Sequence, residues 1–395
     1  MPSKDPIFNL KNTSIKKILN KPFQSAKFLV KFLIAAMKLI SLVSAGGTGK
    51  TQIAMQLAFS VITGEPFLGI FDVLETGTVL IICTEETKEE LVARLNLILN
   101  HHLQKIEDEN IRESEKERLV ELLKNNTRIS YVGADENFCL YPDDNVPTST
   151  ARVKKFCNEK LTNPLKLIIM DNQSQLMLGE HNATSAASSY MKKCMALSVE
   201  TGSAVLNLAH TNKNSETFDL ETRLAPQSLL GSVSYINIPR IIITMALLKT
   251  TDKVTLPDSV NRADVVAMKV AKSNIANTLK ETIFLKRCHD GVLELISVQE
   301  LAPEQEFIEI MNIIQNNPNI NQSALVDEIM KELGKSKTAA NNLLQRACDL
   351  NFINATKSKK NNACIYSFDN VKRDELQTII DTKSQQMNST LKKAA

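Results

Sequence analysis

The sequence predicts an α/β protein with a mostly parallel central sheet, followed by a small helical module. Three observations lead to this. Short apolar runs alternate with amphipathic segments from Lys38 to Val298, and a glycine-rich loop joins the first such run to a helix. After Pro303 the pattern changes to three consecutive helices and a hairpin. Strands that alternate with helices at this pitch are typical of parallel sheets covered on both faces.

The composition is that of an ordinary globular chain. Hydrophobic residues make up 43% of the 395 residues, charged residues 23%, and the net charge is +3. This excludes a mostly disordered protein, and the weak charge requires any nucleic-acid partner to be held by a local patch. Lys31 and Lys38 interrupt the most apolar stretch, residues 28–45, so we expect no membrane span and a cytoplasmic protein.

The cysteines and histidines show no metal-binding spacing. Seven cysteines are scattered without CxxC pairs, mostly in apolar segments, so we expect them to be reduced. His101 and His102 are adjacent, and the other histidines stand alone. The sequence therefore predicts no structural zinc.

Hydrophobic periodicity locates the elements of the α/β part. Strands are predicted at 39–43, 78–83, 128–133, 165–171, 204–210, 240–248, 264–270, 281–285 and 292–296. Helices are predicted at 52–62, 88–105, 107–125, 149–161 and 188–201. The last four strands have hairpin character, and two polar segments, 179–189 and 211–232, are predicted to be loops.

The changes in pattern divide the chain into four parts. Residues 1–26 form a polar arm, 27–300 the α/β domain, 303–368 a helical module and 369–395 a polar tail. In the module, predicted helices at 304–315, 321–333 and 336–350 precede a hairpin with a basic tip. Three helices and such a hairpin are typical of a winged helix.

The glycine-rich loop carries the most specific chemical pattern. Backbone amides in such a loop converge on a phosphate, the lysine reaches the β and γ oxygens, and the following hydroxyl can bind Mg²⁺. Ser44 stands at the first position, where Gly or Ala is usual. The sequence thus predicts a site for ATP and Mg²⁺. Its residues are Ser44, Ala45, Gly46, Gly47, Thr48, Gly49, Lys50 and Thr51.

Three carboxylates follow predicted strands. Asp171 ends an apolar strand, where it can bind Mg²⁺ opposite Thr51 or simply cap a helix. Glu85 and Glu86 follow the strand at 78–83, where either could polarise a water molecule for attack on the γ-phosphate. The residue pattern does not separate these two glutamates, and both could instead be solvated charges at a helix N-terminus.

Three cationic or titratable residues also lie at predicted strand ends. His210 could contact the γ-phosphate, or it could be an ordinary histidine at the edge of a sheet. Arg240 and Lys272 could reach the nucleotide of a neighbouring subunit, or their side chains could extend along the sheet edge to solvent.

The order of these motifs resembles the RecA-like ATPases, and within them the plasmid-encoded RepA family of hexameric replicative helicases. The resemblance spans roughly residues 20–297. The matching pieces are Leu42–Thr51, Glu85 with Arg94 on the following helix, Ile169–Asp171, Gly202–Lys213, Gly231–Arg240, Lys272–Asn274 and His289–Leu293.

The resemblance implies specific roles. Glu85 would be the catalytic base, Arg94 part of the nucleotide site, Asp171 the Mg²⁺ carboxylate and His210 the γ-phosphate sensor. It further implies that Arg240 and Lys272 reach the adjacent subunit, and that Lys213 and Arg223 in a central loop contact the backbone of single-stranded DNA. In the winged-helix-like module, Lys337 and Arg346 are the cations of the expected recognition helix.

Two departures from the family leave alternatives open. The family carries two consecutive histidines where this chain has Ala209 and His210, and it lacks the extension from residue 303. The preferred interpretation is a hexameric, DNA-dependent helicase of a plasmid or mobile element, whose C-terminal module binds duplex DNA or a replication protein. One alternative is an ATP-switched DNA-binding regulator or replication initiator. A small-molecule kinase has less support, because no arginine-rich lid follows the loop.

Overall fold

The computed structural model of the chain describes most of the α/β part and of the C-terminal module. The predicted arm at 1–26, Lys213, the hairpin tip at 358–363 and the tail from 379 lie outside the described residues. The described ranges are 27–132, 149–177, 183–212, 217–254, 256–257, 260–296, 303–318, 320–333, 337–350, 352–357 and 364–378.

A nine-stranded sheet forms the centre of the described chain. A short antiparallel hairpin precedes it, formed by β1 (Phe28–Val30) and β2 (Ile34–Ala35). The nine strands are β3 (Leu39–Ser44), β4 (Thr78–Cys83), β5 (Thr127–Tyr131), β6 (Leu165–Asp171), β7 (Ala204–His210), β8 (Ile241–Leu247), β9 (Val265–Ser273), β10 (Ile283–Arg287) and β11 (Leu293–Ile296).

Helices cover both faces of this sheet. They are α1 (Lys50–Thr63), α2 (Lys88–Leu103), α3 (Glu109–Asn126), α4 (Ser149–Lys160), α5 (Gln173–Leu176), α6 (Thr184–Thr201), α7 (Leu220–Leu224) and α8 (Ser234–Asn237). Alternate residues of β3 divide between the faces, because Leu42 packs with α1 and α2 whereas Val43 packs with α4 and α6. The predicted α/β class with a mostly parallel sheet is confirmed. No helix among the described residues is long and apolar enough to cross a membrane.

The sheet has a parallel part and an antiparallel part. Its order is β11, β10, β9, β8, β3, β7, β6, β4, β5. The strands from β8 to β5 run parallel, whereas β9, β10 and β11 are each antiparallel to their neighbours, as the predicted hairpin character required. The carboxyl ends of β3, β7, β6 and β4 therefore lie side by side at one edge.

Both predicted loops are partly helical, since α7 (Leu220–Leu224) lies within 211–232 and α6 begins within 179–189. Residues 179–189 were expected to be a loop, but α6 begins at Thr184. Ala186 and Ala187 are small apolar residues that pack against the sheet, which extends the helix beyond the start that the polar sequence suggested.

The C-terminal module has a core of its own. It comprises α9 (Pro303–Asn316), α10 (Gln322–Glu332), α11 (Lys337–Asp349) and the antiparallel pair β12 (Ile353–Lys357) and β13 (Cys364–Phe368). The predicted limit at residue 368 is too early. Residues 370–378 are helical, Leu376 is fully buried in this core, and Arg373 donates hydrogen bonds to α9.

Candidate active site

Four neighbouring strands bring the glycine-rich loop and three of the other predicted site residues to one edge of the sheet. The glycine-rich loop follows β3, His210 ends β7, Asp171 ends β6, and Glu85 follows β4. Because these strands are parallel, their carboxyl ends open onto a shared crevice, which is where open α/β sheets bind ligands.

The glycine-rich loop has the geometry of a phosphate cradle. Gly47 and Gly49 have φ of 73° and 105°, in the left-handed region that disfavours other residues, and a Cβ on Gly46 or Gly47 would meet open space. Gly49 precedes α1 without a side-chain cap, so the first amides of that helix face the loop. Thr48 Oγ1 and Gln52 Nε2 are buried, and neither makes a hydrogen bond within the described structure. These features fit a bound phosphate chain.

Lys50 places a buried positive charge in this cradle. Its side chain lies across the loop, and Nζ donates hydrogen bonds to the carbonyl oxygens of Ser44 and Ala45, at 3.0 and 3.1 Å. Burial lowers the pKa of Lys50 to about 8, although the charges of Asp171 and Glu85 oppose this shift. The ammonium group is therefore charged at neutral pH and poorly hydrated, which strengthens its attraction for phosphate oxygens.

Thr51 and Asp171, the two residues predicted to bind magnesium, lie in direct contact. Thr51 Oγ1 donates to Asp171 Oδ2 at 2.8 Å, across the start of α1 and the end of β6. Burial raises the pKa of Asp171 to about 6, and Glu85 adds to this, whereas the hydrogen bond from Thr51 lowers it. A hydroxyl and a carboxylate are the oxygen ligands that Mg²⁺ prefers, so these two residues would hold the ion beside the phosphates.

Asn172, which the sequence analysis missed, connects two of the predicted residues. Its Nδ2 donates to Glu85 Oε1 at 2.5 Å and lies 3.4 Å from His210 Nε2. The Asn172 side chain is fixed because its Oδ1 accepts from the amide of Gln175, at the start of α5. The pattern that could have revealed it is the pair of polar residues, Asp171 and Asn172, at the end of a buried strand.

His210 lies between Lys50 and Asn172. Its Nδ1 is 3.3 Å from Lys50 Nζ, so the neutral ring accepts a hydrogen bond from the ammonium group there. Burial lowers the pKa of His210, and the charge of Lys50 lowers it further. His210 is therefore neutral at physiological pH, and it contacts both the phosphate-binding lysine and the residue that holds Glu85.

A capping box fixes the turn that carries the two glutamates. The Glu90 amide donates to Thr87 Oγ1, and the Thr87 amide donates in return to the Glu90 carboxylate, which starts α2 immediately after the turn. The directions of Glu85 and Glu86 are thereby set by the end of β4 and the start of α2.

The structure separates Glu85 from Glu86. Arg94 on α2 binds Glu86 with two hydrogen bonds, Nε to Oε2 at 2.7 Å and Nη2 to Oε1 at 2.5 Å, and a third joins it to Gln52. Glu86 is therefore neutralised by a bidentate ion pair, whereas Glu85 is exposed and faces Asn172 and the crevice. Arg94, predicted to bind nucleotide, holds Glu86 at the rim of this site.

Arg287 is a second residue that the sequence analysis missed. Its Nη2 donates to the carbonyl oxygens of Gly47 and Thr48, at 2.8 and 3.1 Å. The strand pair β10 and β11 is fixed beside the loop, because the side chain of Gln56 bonds both the amide and the carbonyl of Leu293. By holding the loop carbonyls, Arg287 leaves the opposite side of the loop, with its amides, free for a ligand.

Arg240 and Lys272 lie at the opposite, amino edge of the sheet. The Arg240 amide donates to Leu39 at the start of β3, and Lys272 pairs with Ile242 near the start of β8. At the usual rise of a strand, the length of β3 separates this edge from the glycine-rich loop by roughly 16 Å. The structure thus brings these two cations together but not to the loop of the same chain.

The two cations at the amino edge differ in their surroundings. Lys272 Nζ donates to the carbonyl oxygens of Ile236, Asn237 and Pro239, at 2.6, 3.1 and 3.1 Å. Burial lowers the pKa of Lys272, and the charge of Arg240 adds to this. The Arg240 side chain, in contrast, is exposed.

The residues predicted to contact DNA differ in their exposure to solvent. The prediction for Arg223 is wrong, because its guanidinium is buried, paired with Asp252 and bonded to the carbonyl of Leu247. Such a group is not available to a DNA backbone. Lys337 and Arg346 are exposed on α11, and Lys213 lies outside the described residues.

A family model described as an AAA domain matches residues 4–216, more than half of the 395 residues. The chain belongs to the AAA domain family. The matched part of this AAA domain contains the glycine-rich loop, Glu85, Asp171 and His210, whereas Arg240 and Arg287 follow it.

No curated protein sequence matches this AAA domain protein. Among solved structures, the chain is similar to one described as a DnaB-like replicative helicase and its interactions with primase, at 13% sequence identity and a TM-score of 0.48. The match covers 72% of this chain and 64% of the other, so the chain spans less than two thirds of that protein's length.

Acidification is expected to weaken Mg²⁺-dependent nucleotide binding. As the pH falls through about 6, Asp171 gains a proton and no longer attracts a cation. Because this pKa is raised in the folded chain, protonation of Asp171 itself favours the folded state and does not cause unfolding. Titration with a fluorescent ATP analogue on either side of pH 6, with Mg²⁺ and with EDTA, measures the effect. Asp171→Asn should lack the Mg²⁺-dependent step, and an unchanged step in that variant would contradict the assignment.

Arg287→Ala is expected to weaken nucleotide binding roughly threefold to tenfold, because two hydrogen bonds that orient the loop are lost. Lys286→Ala, which removes the neighbouring cation on the other face of β10, is the matched control and should bind as the parent does. Equal binding by both variants would show that Arg287 does not position the loop.

Proposed function

We propose that the chain is an ATP-hydrolysing, DNA-dependent motor that assembles into a ring, and that it serves as the replicative helicase of a plasmid or other mobile element. One observation carries this proposal. The glycine-rich loop lies at the carboxyl edge of the sheet, whereas the exposed Arg240 lies at the amino edge, roughly 16 Å away along β3. A head-to-tail ring would bring the second edge of one subunit to the first edge of the next.

Within one subunit, the carboxyl edge would bind ATP and start hydrolysis. Lys50 and the loop amides bind the phosphates, and Thr51 with Asp171 hold Mg²⁺, which would neutralise charge on the phosphate oxygens. Arg94 pairs with Glu86, whereas Glu85 is exposed to solvent. Glu85 would therefore orient and deprotonate the attacking water molecule.

The neighbouring subunit would complete the site with Arg240. A guanidinium offers several hydrogen-bond donors in a fixed plane and suits the charge that spreads over the transferred phosphoryl group. Lys272 already donates to three carbonyl oxygens of residues 236–239, the segment that leads directly into Arg240. We therefore assign the reach across the interface to Arg240 and a positioning role to Lys272.

The resemblance to the RecA-like ATPases and the RepA helicases supports the DNA-dependent part of the proposal. Lys213 and other polar residues of the segment 211–232 would contact single-stranded DNA. The buried Arg223 would not. This contact would be to the backbone and would depend on salt.

A second candidate function rests on the C-terminal module. It has a separate core of three helices and a strand pair, and it exposes Lys337 and Arg346 on α11. If this module is a winged helix that binds duplex DNA, the ATP site could act only as a switch, and the chain would be a regulator or replication initiator without unwinding activity.

Glu85→Gln is expected to reduce ATP turnover by about 100-fold or more while nucleotide binding is retained, because the group that accepts the proton of water is lost. Glu86→Gln is the matched control. It removes one charge from the adjacent position and should leave most of the turnover, since Glu86 is already neutralised by Arg94. Phosphate release and nucleotide binding measure the two steps. The opposite ranking of the variants would transfer the role of base to Glu86.

Arg240→Ala is expected to lose hydrolysis by about 1,000-fold with nucleotide binding retained, since the missing group acts on the next subunit's nucleotide. Lys50→Ala should lose binding and hydrolysis. Mixing the two variants should restore part of the turnover, because some interfaces then combine an intact Lys50 with an intact Arg240.

Measurements of ATP turnover, native mass and duplex binding on the parent chain distinguish the two candidate functions. A motor should show turnover stimulated by single-stranded DNA and a native mass of several subunits, whereas a regulator should bind duplex DNA under nucleotide control without that stimulation. A monomer whose turnover ignores single-stranded DNA, with no recovery on mixing, would rule out the ring-forming motor.

A further inference from the structure

A group of metal-binding side chains lies behind the glycine-rich loop, between α2 and the β10–β11 pair. His101 comes from α2, Cys288 follows β10, and Glu294 belongs to β11. One donor atom from each lies within 4.8 Å of the others. His101 is far from Cys288 and Glu294 in the sequence, so only the fold brings the three side chains together.

Asp290 gives the histidine ring a defined orientation. Its Oδ2 lies 2.7 Å from His101 Nδ1, whereas Nε2 faces Glu294 Oε1 at 2.9 Å. A histidine that binds a metal through one nitrogen commonly donates its other N–H to a carboxylate, which fixes the ring and makes it a better ligand. Asp290 is in the position for that supporting role.

The other two donors converge on the same point. Cys288 Sγ lies 3.3 Å from Glu294 Oε2, so the sulfur, the carboxylate and His101 Nε2 surround one small volume. The ligand atoms of tetrahedral zinc lie roughly 3.5 Å apart, since the bonds are about 2.0–2.3 Å long. The observed separations therefore need only small shifts to accommodate the ion.

We propose that His101 Nε2, Cys288 Sγ and a carboxylate oxygen of Glu294 form a binding site for a zinc ion, with Asp290 orienting the histidine and water completing the coordination. One nitrogen, one sulfur and one oxygen donor form a set suited to zinc rather than to Mg²⁺ or Ca²⁺. His101 and Glu294 also line a surface cavity of about 510 Å³, which provides a route of entry.

Zinc binding requires two local changes: Cys288 must lose its thiol proton, and Lys105 must release Glu294. The hydrogen bond from Lys105 lowers the pKa of Glu294 to about 2, so this ligand is already ionised. Burial raises the pKa of Cys288 to about 11, so zinc would displace the thiol proton to solvent. The Lys105 side chain, 60% exposed, would withdraw its ammonium from Glu294 into water.

The neighbouring histidine does not form an equivalent site. His102 lies near Glu65 and Glu115, but Arg118 binds both carboxylates, and the separation between His102 Nε2 and Glu65 is 3.8 Å. The guanidinium already supplies the positive charge there, and it occupies the carboxylate oxygens with a planar set of donors.

The site would tie α2 to the strands that hold the loop. Arg287 and Leu293 flank the turn that carries Cys288 and Asp290, and they contact the loop and α1 through Gly47 and Gln56. Zinc would then stiffen the support of the glycine-rich loop from outside the nucleotide site.

The test uses the full-length chain, Zn²⁺ alone and Co²⁺ as a spectroscopic substitute. We expect one tightly held Zn²⁺ per chain, a higher melting temperature with Zn²⁺, and a thiolate-to-cobalt charge-transfer band with Co²⁺. Cys288→Ser should abolish the band and Cys157→Ser should keep it. His101→Gln should lose the metal and His102→Gln should retain it. Asp290→Asn should weaken binding about 10–100-fold, the usual effect of removing such a supporting carboxylate.

Other outcomes would overturn the proposal. The alternative is a metal-free network in which the His101 ring is held between Asp290 and Glu294. The chain would then retain no Zn²⁺, show no charge-transfer band, and have the same melting temperature with Zn²⁺ as with EDTA. Metal binding that survives both Cys288→Ser and His101→Gln would equally exclude this site.

Discussion

The buried ammonium group of Lys50 is the charge on which the rest of the candidate site depends. A cation removed from water is costly unless opposite charges and hydrogen-bond acceptors are fixed around it, and here Asp171, Glu85 and the loop carbonyls meet that need. The same burial raises the pKa of Asp171 and lowers that of His210. The site is therefore a coupled set of charges whose balance changes when a polyanion enters.

The parallel strands position most of these groups. Asp171 and His210 end their strands and Glu85 lies two residues beyond β4, whereas Lys50 begins the helix that follows the glycine-rich loop. Asn172 links Glu85 to the surroundings of His210, so the proposed catalytic base and the proposed phosphate contact share one partner. The antiparallel strands have a different task, because they support the glycine-rich loop from the side away from the ligand.

The strands, most helices and the loop could be predicted from the sequence because their patterns are local. Asp171 and His210 could be predicted because strand ends are visible as changes from apolar to polar residues. Side-chain pairings were not visible in this way. Arg287 lies 240 residues from its loop partner Gly47, and the choice between Glu85 and Glu86 depends on the direction of Arg94. The polar segment around Arg223 predicts a surface cation, and only the fold shows Asp252 beside it.

The length of β3 sets the distance between the two edges of the sheet that carry candidate functional residues. The glycine-rich loop follows one end of β3, and Arg240 lies beside the other end, before β8. The length of β3 therefore fixes the distance between the loop and Arg240. Adding one residue within it would turn alternate side chains to the wrong face and displace the loop from its neighbours on β7. The span of this strand is therefore constrained from both ends.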